Sequence, residues 1–379
     1  MDADLISFLR PMPGSGPCAC VAARSVLCSS PVHLVYIGGQ TGRKSDLVQL
    51  GGSPKKPRDI SEVTMHALSK LFGTALSLSL MAAPAVAAHQ DRQDSPAPNS
   101  SAAFSFGLIA DPQYWDGPAR GTRYYADSTQ KLAEAAETIN KSKVDFTVQV
   151  GDLIDRDPAS FDTILPILNQ IEGPRYNLLG NHDFPSGPSS ERAVSLLDMP
   201  NEYYDVTHQK WRFIMLDNND ISLYANEPGS ADYTEAETIL EGLRNEGADN
   251  AQTWNGALGE EQMTWLNETL ADAEEKGQKA IVFGHMPVEG GHTENAWDAP
   301  AIQEALESHD NVVAYINGHY HAGAYQVVNG IHYVTLKGMV EEAHPANAYA
   351  VVTVQEDKVR IDGYGRQPDL ALDVPAVAR

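Results

Sequence analysis

The chain has 379 residues, 51 acidic and 27 basic side chains, and a formal charge of −24. That balance excludes a general nucleic-acid binder, which needs a basic face to displace phosphate counterions; the 42 % apolar residues suffice for a sizeable core. The three cysteines are Cys18, Cys20 and Cys28, so positions 29–379 offer no disulfide framework, no thiolate zinc site and no cysteine nucleophile.

Residues 1–64 mix Gly, Pro, Ser and Arg with short apolar runs of no clear period and read as an over-extended, non-functional leader. Met65–Lys70, the apolar run Leu71–Ala83 and the small-residue pattern Ala85-Val86-Ala87 describe a secretory signal over 65–87, too short to span a bilayer. The expectation is an exported protein, periplasmic or secreted, starting near Ala88 and without stable membrane association. The first 87 residues carry five acidic and eight basic side chains, so the remainder carries −27. Residues 88–103, rich in Ser, Pro and Gln, read as a linker.

Regular patterning begins at Phe104 and runs to about residue 370. Strands are predicted over 104–111, 146–152, 176–181, 211–217, 279–285 and 312–319, with helices over 124–140, 161–171 and 260–276. Residues 218–255 are polar and read as an irregular lid or specificity insertion. Closely spaced strands follow at 326–329, 331–337, 349–355 and 358–365, with Asn329-Gly330 as a hairpin signal. Strand–helix alternation followed by a strand cluster predicts one α/β domain of two sheets with helices outside and reactive groups at strand C-terminal ends.

Those ends carry Asp111-Pro-Gln113, Gly151-Asp152-Leu-Ile-Asp155, Gly180-Asn181-His182-Asp183, Gly284-His285 and Gly318-His319-Tyr-His321. Carboxylate, carboxamide and imidazole without thiolate suit manganese, iron or zinc. Five ligand-bearing loops exceed the needs of one ion, whereas two ions sharing a carboxylate use them all.

This set resembles the calcineurin-like metallophosphoesterases over about residues 104–366. Gln113 stands where most members carry His, and in this the chain is similar to the manganese-dependent ADP-ribose/CDP-alcohol diphosphatases. Arg123-Tyr-Tyr125, Trp254–Gly259, Glu261–Leu266 and Gly363–Arg366 are further points of likeness. The resemblance implies a two-sheet β-sandwich flanked by helices and two divalent ions, manganese first, with iron or zinc as alternatives. It implies Asp111, Gln113, Asp152 and His321 around one ion, and Asp152, Asn181, His285 and His319 around the other. His182, with Asn181, would stabilise the transition state or protonate the leaving oxygen, and Asp155 and Asp183 would orient neighbours. The implied substrate is a small nucleoside diphosphate derivative, not a nucleic acid, with Tyr114, Arg123, Trp254 and Tyr325 as candidate substrate contacts. A broader exported phosphodiesterase or phosphomonoesterase and a non-catalytic metal-binding scaffold are the alternatives. His332 and His292 read as structural or surface residues.

Overall fold

The computed structural model describes residues 103–185, 187 and 190–375. The expected leader and signal lie outside the described residues, as does the linker except for Ala103. Two mixed six-stranded sheets form the framework. The first orders its strands β12-β11-β10-β1-β2-β3, the second β4-β5-β6-β7-β9-β8.

In the first sheet, β1 (Phe104–Ile109), β2 (Phe146–Val150) and β3 (Arg175–Leu178) run parallel, and β10 (Ala348–Val354), β11 (Lys358–Gly365) and β12 (Leu370–Asp373) add an antiparallel meander. In the second, β5 (Trp211–Met215), β6 (Lys279–Phe283), β7 (Val312–Asn317) and β9 (Ile331–Thr335) are parallel, edged by antiparallel β4 (Tyr204–His208) and β8 (Ala324–Val328). Parallel strands buried on both faces read as unbroken apolar runs, and Phe-Ile-Met, Ala-Ile-Val-Phe and Val-Val-Ala-Tyr-Ile are such runs. The Asn329-Gly330 turn joins β8 to β9 with both residues at positive φ (51° and 87°), the backbone that a two-residue hairpin needs.

The sheets pack face to face through an aromatic layer. Phe106 and Phe146 stack at 5.1 Å, and Phe213 of the second sheet meets them edge-on at 5.7 and 5.0 Å. Helix α1 (Ser128–Ser142) contributes Leu132, Ala135, Ala136 and Ile139 to this core, on one face at helical spacing. Helix α2 (Ser160–Leu168) packs beside it. Helices α5 (Glu260–Glu275) and α6 (Ala299–Glu307) share a second cluster with β6 and β7.

The stretch 218–255 is not irregular throughout. Ala231–Glu246 forms helix α4, capped by the Ser230 hydroxyl accepting from Tyr233 N–H (3.1 Å) and closed by Gly247 at φ 71°. Its buried Ala236 and Leu240 pack with Ile221, Ala257 and Trp297 as a satellite core. The apolar stripe is narrow and Glu-rich between its members, which is why the segment reads as a polar insertion in sequence.

Candidate metal centre and cleft

Parallel strands point their C-terminal ends the same way, so the loops after β1, β2, β3, β6 and β7 meet at one edge of the sandwich. Asp111, Gln113, Asp152, His285, His319 and His321 are all buried there. Asp152, His285 and His319 place one potential ligand atom each within 4.8 Å of one another, and so do Asp111, Asp152 and His321. Asp152 belongs to both groups. Asn181 Oδ1 lies 3.3 Å from His285 Nε2, and Gln113 Nε2 donates to Asp152 Oδ2 at 2.7 Å.

The backbone is bent to aim these side chains. Asp111, Gln113, Asp152 and His319 have φ of 50°, 43°, 56° and 65°, a region that costs a non-glycine residue about 1–3 kcal/mol. Glycine is required beside them. Gly151 has φ 96°, and a Cβ there would stand 2.5 Å from His285 Nδ1. A Cβ on Gly180 would strike the Asp152 carboxylate.

A second layer of partners fixes each group. Asp183 accepts from the backbone amides of Gly180, Asp152, Leu153 and Ile154 at 2.9–3.2 Å and so holds the loop of Asp152. Asp155 Oδ1 sits 3.1 Å from His182 Nδ1. His285 Nδ1 donates to Val150 O (2.8 Å), and His321 Nδ1 lies 2.7 Å from Glu341 Oε1. Asn218 Oδ1 accepts from His285 N and Met286 N at 2.7 and 3.0 Å. Lys131, fully buried on α1, donates to the carbonyls of Met339, Val340 and Glu341 (2.9, 3.3 and 3.1 Å), so it grips the segment that carries Glu341.

Electrostatics follow from this crowding. Burial alone would raise the Asp152 carboxyl, but His285 and His182 hold it well below the usual carboxylate range. Burial opposes protonation of His285 and His321, yet the charges of Asp152 and Asp111 respectively push both up to about 9. His319 goes the other way, lowered by burial and by its cationic neighbour His285. For His182, Asp152 and Asp155 outweigh burial and raise the imidazole. Burial and the Asp152 charge raise Asp183 to about 7.

The donor set fits a pair of cations. His285 gives its Nδ1 proton to a carbonyl, so its Nε2 is the atom that faces His319 Nδ1 at 3.1 Å, an approach bridged by a shared proton whose place a cation can take. Gln113 Oε1 and His321 Nε2 are buried with no hydrogen-bond partner, although His321 Nε2 lies 3.4 Å from Asp111 Oδ1. An unpartnered Gln113 Oε1, and two imidazoles whose affinity for protons is raised beside buried carboxylates, are what a metal ion satisfies by taking the place of those protons.

A cleft of about 510 Å³ opens over this cluster. His182, Arg123 and Trp254 line it together with Gln113, Asn181 and Glu294. Trp254 is 42 % exposed and its indole N–H donates to Glu294 Oε2 at 2.7 Å. Arg123 Nε lies 3.6 Å from Glu341 Oε1. Two expected substrate contacts are not brought here. Tyr114 is buried in the core after its pairing with Ile154, because the β1 loop turns its ring inward as it aims Gln113 at the cluster. Tyr325 lies on edge strand β8, stacked on His332 and bonded to its Nδ1 at 3.0 Å. His332 and His292 are a strand-buried and an exposed residue respectively, as expected.

Glu341, Glu294, Asn255 and Asn218 were missed from sequence. None follows a strand-end Gly-Asp or Gly-His pattern; Asn255 sits in the Trp254–Gly259 likeness, which marked the stretch but assigned it no role.

Residues 104–323 match the calcineurin-like phosphoesterase family model. The chain is 30 % identical over 321 residues to manganese-dependent ADP-ribose/CDP-alcohol diphosphatase from mouse, covering 73 % of this chain and 94 % of that protein. It is likewise 30 % identical over 298 residues to the protein of that name from rice, covering 70 % and 92 %. Among solved structures, a dimetal phosphatase from Danio rerio superposes with a TM-score of 0.67 at 27 % identity, covering 72 % of this chain and 99 % of that one. With these ligands on this sandwich, the chain belongs to the calcineurin-like phosphoesterases and is a metal-dependent hydrolase of that family.

Proposed function

We propose that this protein hydrolyses the diphosphate bond of nucleoside diphosphates linked to a small group, of the ADP-ribose or CDP-alcohol type. The observation that carries the reading is the pair of ligand groups sharing Asp152, with Gln113 rather than His in the first loop. Relatives bearing the ADP-ribose/CDP-alcohol diphosphatase name support it.

Asp111, Gln113, Asp152 and His321 would hold one divalent ion, and Asp152, Asn181, His285 and His319 the other, with manganese in the first place. When bound, such a pair supplies charge neutralisation at a phosphoryl group and an acidified water. Arg123 lines the cleft, where it would clamp a phosphoryl oxygen. Trp254 offers an exposed ring on which a base can stack. His182 is oriented by Asp155 through Nδ1, so its Nε2 is left to give a proton to the leaving oxygen. Against burial, the charge of Asp152 raises the imidazole's affinity for protons, as does the Asp155 carboxylate that orients the ring. Water's oxygen bonds to one phosphorus as the bridging P–O bond breaks, giving a nucleoside monophosphate and a phosphorylated sugar or alcohol. No side chain needs to bond to phosphorus.

The test is a substrate panel with Mn²⁺: ADP-ribose, CDP-choline, a cyclic nucleotide and p-nitrophenyl phosphate. Preferred turnover of the first two is expected; turnover of the monoester or cyclic nucleotide alone overturns the reading in favour of a broader phosphoesterase. Export from a signal at 65–87 belongs to the same proposal, and amino-terminal sequencing of secreted protein checks it, with a start near Ala88 expected.

A further inference from the structure

Asn255 is fully buried, lies outside every strand-end motif, and touches the Asp152–His285–His319 group from the insertion side. Its Nδ2 donates to Asn250 O at 3.0 Å and to Thr293 O at 2.8 Å. Both partners are carbonyls and can only accept, so flipping the amide would set oxygen against oxygen twice. The amide is therefore locked with Oδ1 toward His319 Nε2, 3.1 Å away. An amide oxygen also only accepts, so Nε2 must carry the imidazole proton. Nδ1 is then the lone-pair atom, and it faces His285 Nε2 at 3.1 Å, inside the Asp152–His285–His319 group.

We propose that Asn255 is a positioning residue that sets the tautomer and ring orientation of His319 and thereby the affinity of the ion position built by Asp152, Asn181, His285 and His319. This rests on the dinuclear reading above. The lock is anchored twice to neighbouring loops. Thr293, whose carbonyl holds the Asn255 amide, is followed by Glu294, which holds the indole of Trp254 and approaches His319 Nε2 at 3.5 Å. The insertion thus supplies the outer support for one ion position, whereas Glu341 supplies it for His321 on the other.

Outer partners of ligating histidines are worth about 10–100-fold in metal affinity. Mn²⁺ titration of Asn255→Ala, by calorimetry and electron paramagnetic resonance, is expected to show one of two sites weakened about 10–100-fold and the other within about twofold of wild type. A purely structural role would lower the melting temperature and leave both affinities unchanged, or weaken both together; either result overturns the proposal. A second measurement needs no substitution at 255. In ¹⁵N-histidine-labelled protein loaded with Cd²⁺, with His319 assigned by its absence in His319→Gln, an Nε2–H, Nδ1–Cd pattern is expected. An Nδ1–H pattern at His319 overturns the proposal even if Asn255→Ala does not fold. Wild-type protein that binds no Mn²⁺ at all would overturn the dinuclear reading itself, whereas two normal sites in Asn255→Ala would overturn only the role of Asn255.

Discussion

The two sheets contribute unlike halves to the centre. Loops after β1, β2 and β3 supply oxygen: Asp111, Gln113, Asp152 and Asn181. Loops after β6 and β7 supply nitrogen: His285, His319 and His321. The oxygen half is held by its own backbone, through left-handed Asp111, Gln113 and Asp152 and the four amides gathered by Asp183; of the imidazoles only His319 shares that backbone. Each imidazole instead leans on an acceptor elsewhere: Val150 O for His285, Asn255 Oδ1 for His319, Glu341 Oε1 for His321. A strained loop can aim a short carboxylate, but a ring with two nitrogens also needs a partner to choose which one carries the proton. Neither half is a site alone, and Asp152 joins them.

The largest break in that pairing is at Asp152. Asp152→Asn is expected to lower kcat/KM about 10³-fold or more, roughly 4 kcal/mol of barrier, with two-ion binding lost in a Mn²⁺ titration. Next is His182→Ala, which on the proposed mechanism removes the proton donor and leaves the ligands in place. Its kcat should fall about 10²–10⁴-fold while two Mn²⁺ are still bound; loss of an ion instead would mean His182 belongs to the ligand set. Glu341→Ala strikes the nitrogen half and also removes the carboxylate beside Arg123. A fall of about 10–100-fold in affinity for the ion beside His321 is expected, recovered in activity by excess Mn²⁺.

Trp254→Ala leaves both halves intact. It should raise KM for ADP-ribose about tenfold, equivalent to about 1.4 kcal/mol of lost stacking, and leave p-nitrophenyl phosphate hydrolysis unaltered. The smallest expected effect on turnover is at Asp217, which is no ligand but precedes the Asn218 that holds the His285 loop. Burial, with the nearby charge of Asp220, raises its carboxyl to about 7. The folded state therefore holds this proton more tightly than the unfolded chain does. The stability so contributed is complete below about pH 4 and is lost as pH rises through 7. Asp217→Asn should flatten the decline in melting temperature between pH 5 and 7, by about 1–3 kcal/mol of stability; an unchanged slope would place the proton elsewhere.

Glycine before Asp152, Asn181, His285 and His319 at the end of an apolar run is a local pattern that sequence carries, whereas Asp111 and Gln113 have no such glycine and stand out by their strand end and the family likeness. Sequence also carried the strand order of chemistry and the hairpin at Asn329-Gly330. What it could not carry was contact between distant segments. Asn255 meets His319 across 64 residues, and Glu341 meets His321 from a segment with no periodicity of its own. The left-handed backbone at Asp111, Gln113, Asp152 and His319 was equally silent, since residue type alone marks only glycine for that region. Tyr114 and Tyr325 were drawn toward the cleft by proximity in sequence to ligands, whereas strand geometry turns one inward and puts the other on the far edge. Edge strand β4, with Asp205, Thr207 and His208 in five residues, lacked the apolar run that betrayed its neighbours.

Crystals of the protein soaked in Mn²⁺ and measured at the manganese absorption edge test the joined centre most directly. Two anomalous peaks about 3.5–4 Å apart, both within ligand distance of Asp152, are the predicted result. A single peak, or two peaks that do not share Asp152, would contradict a dinuclear centre built between the sheets.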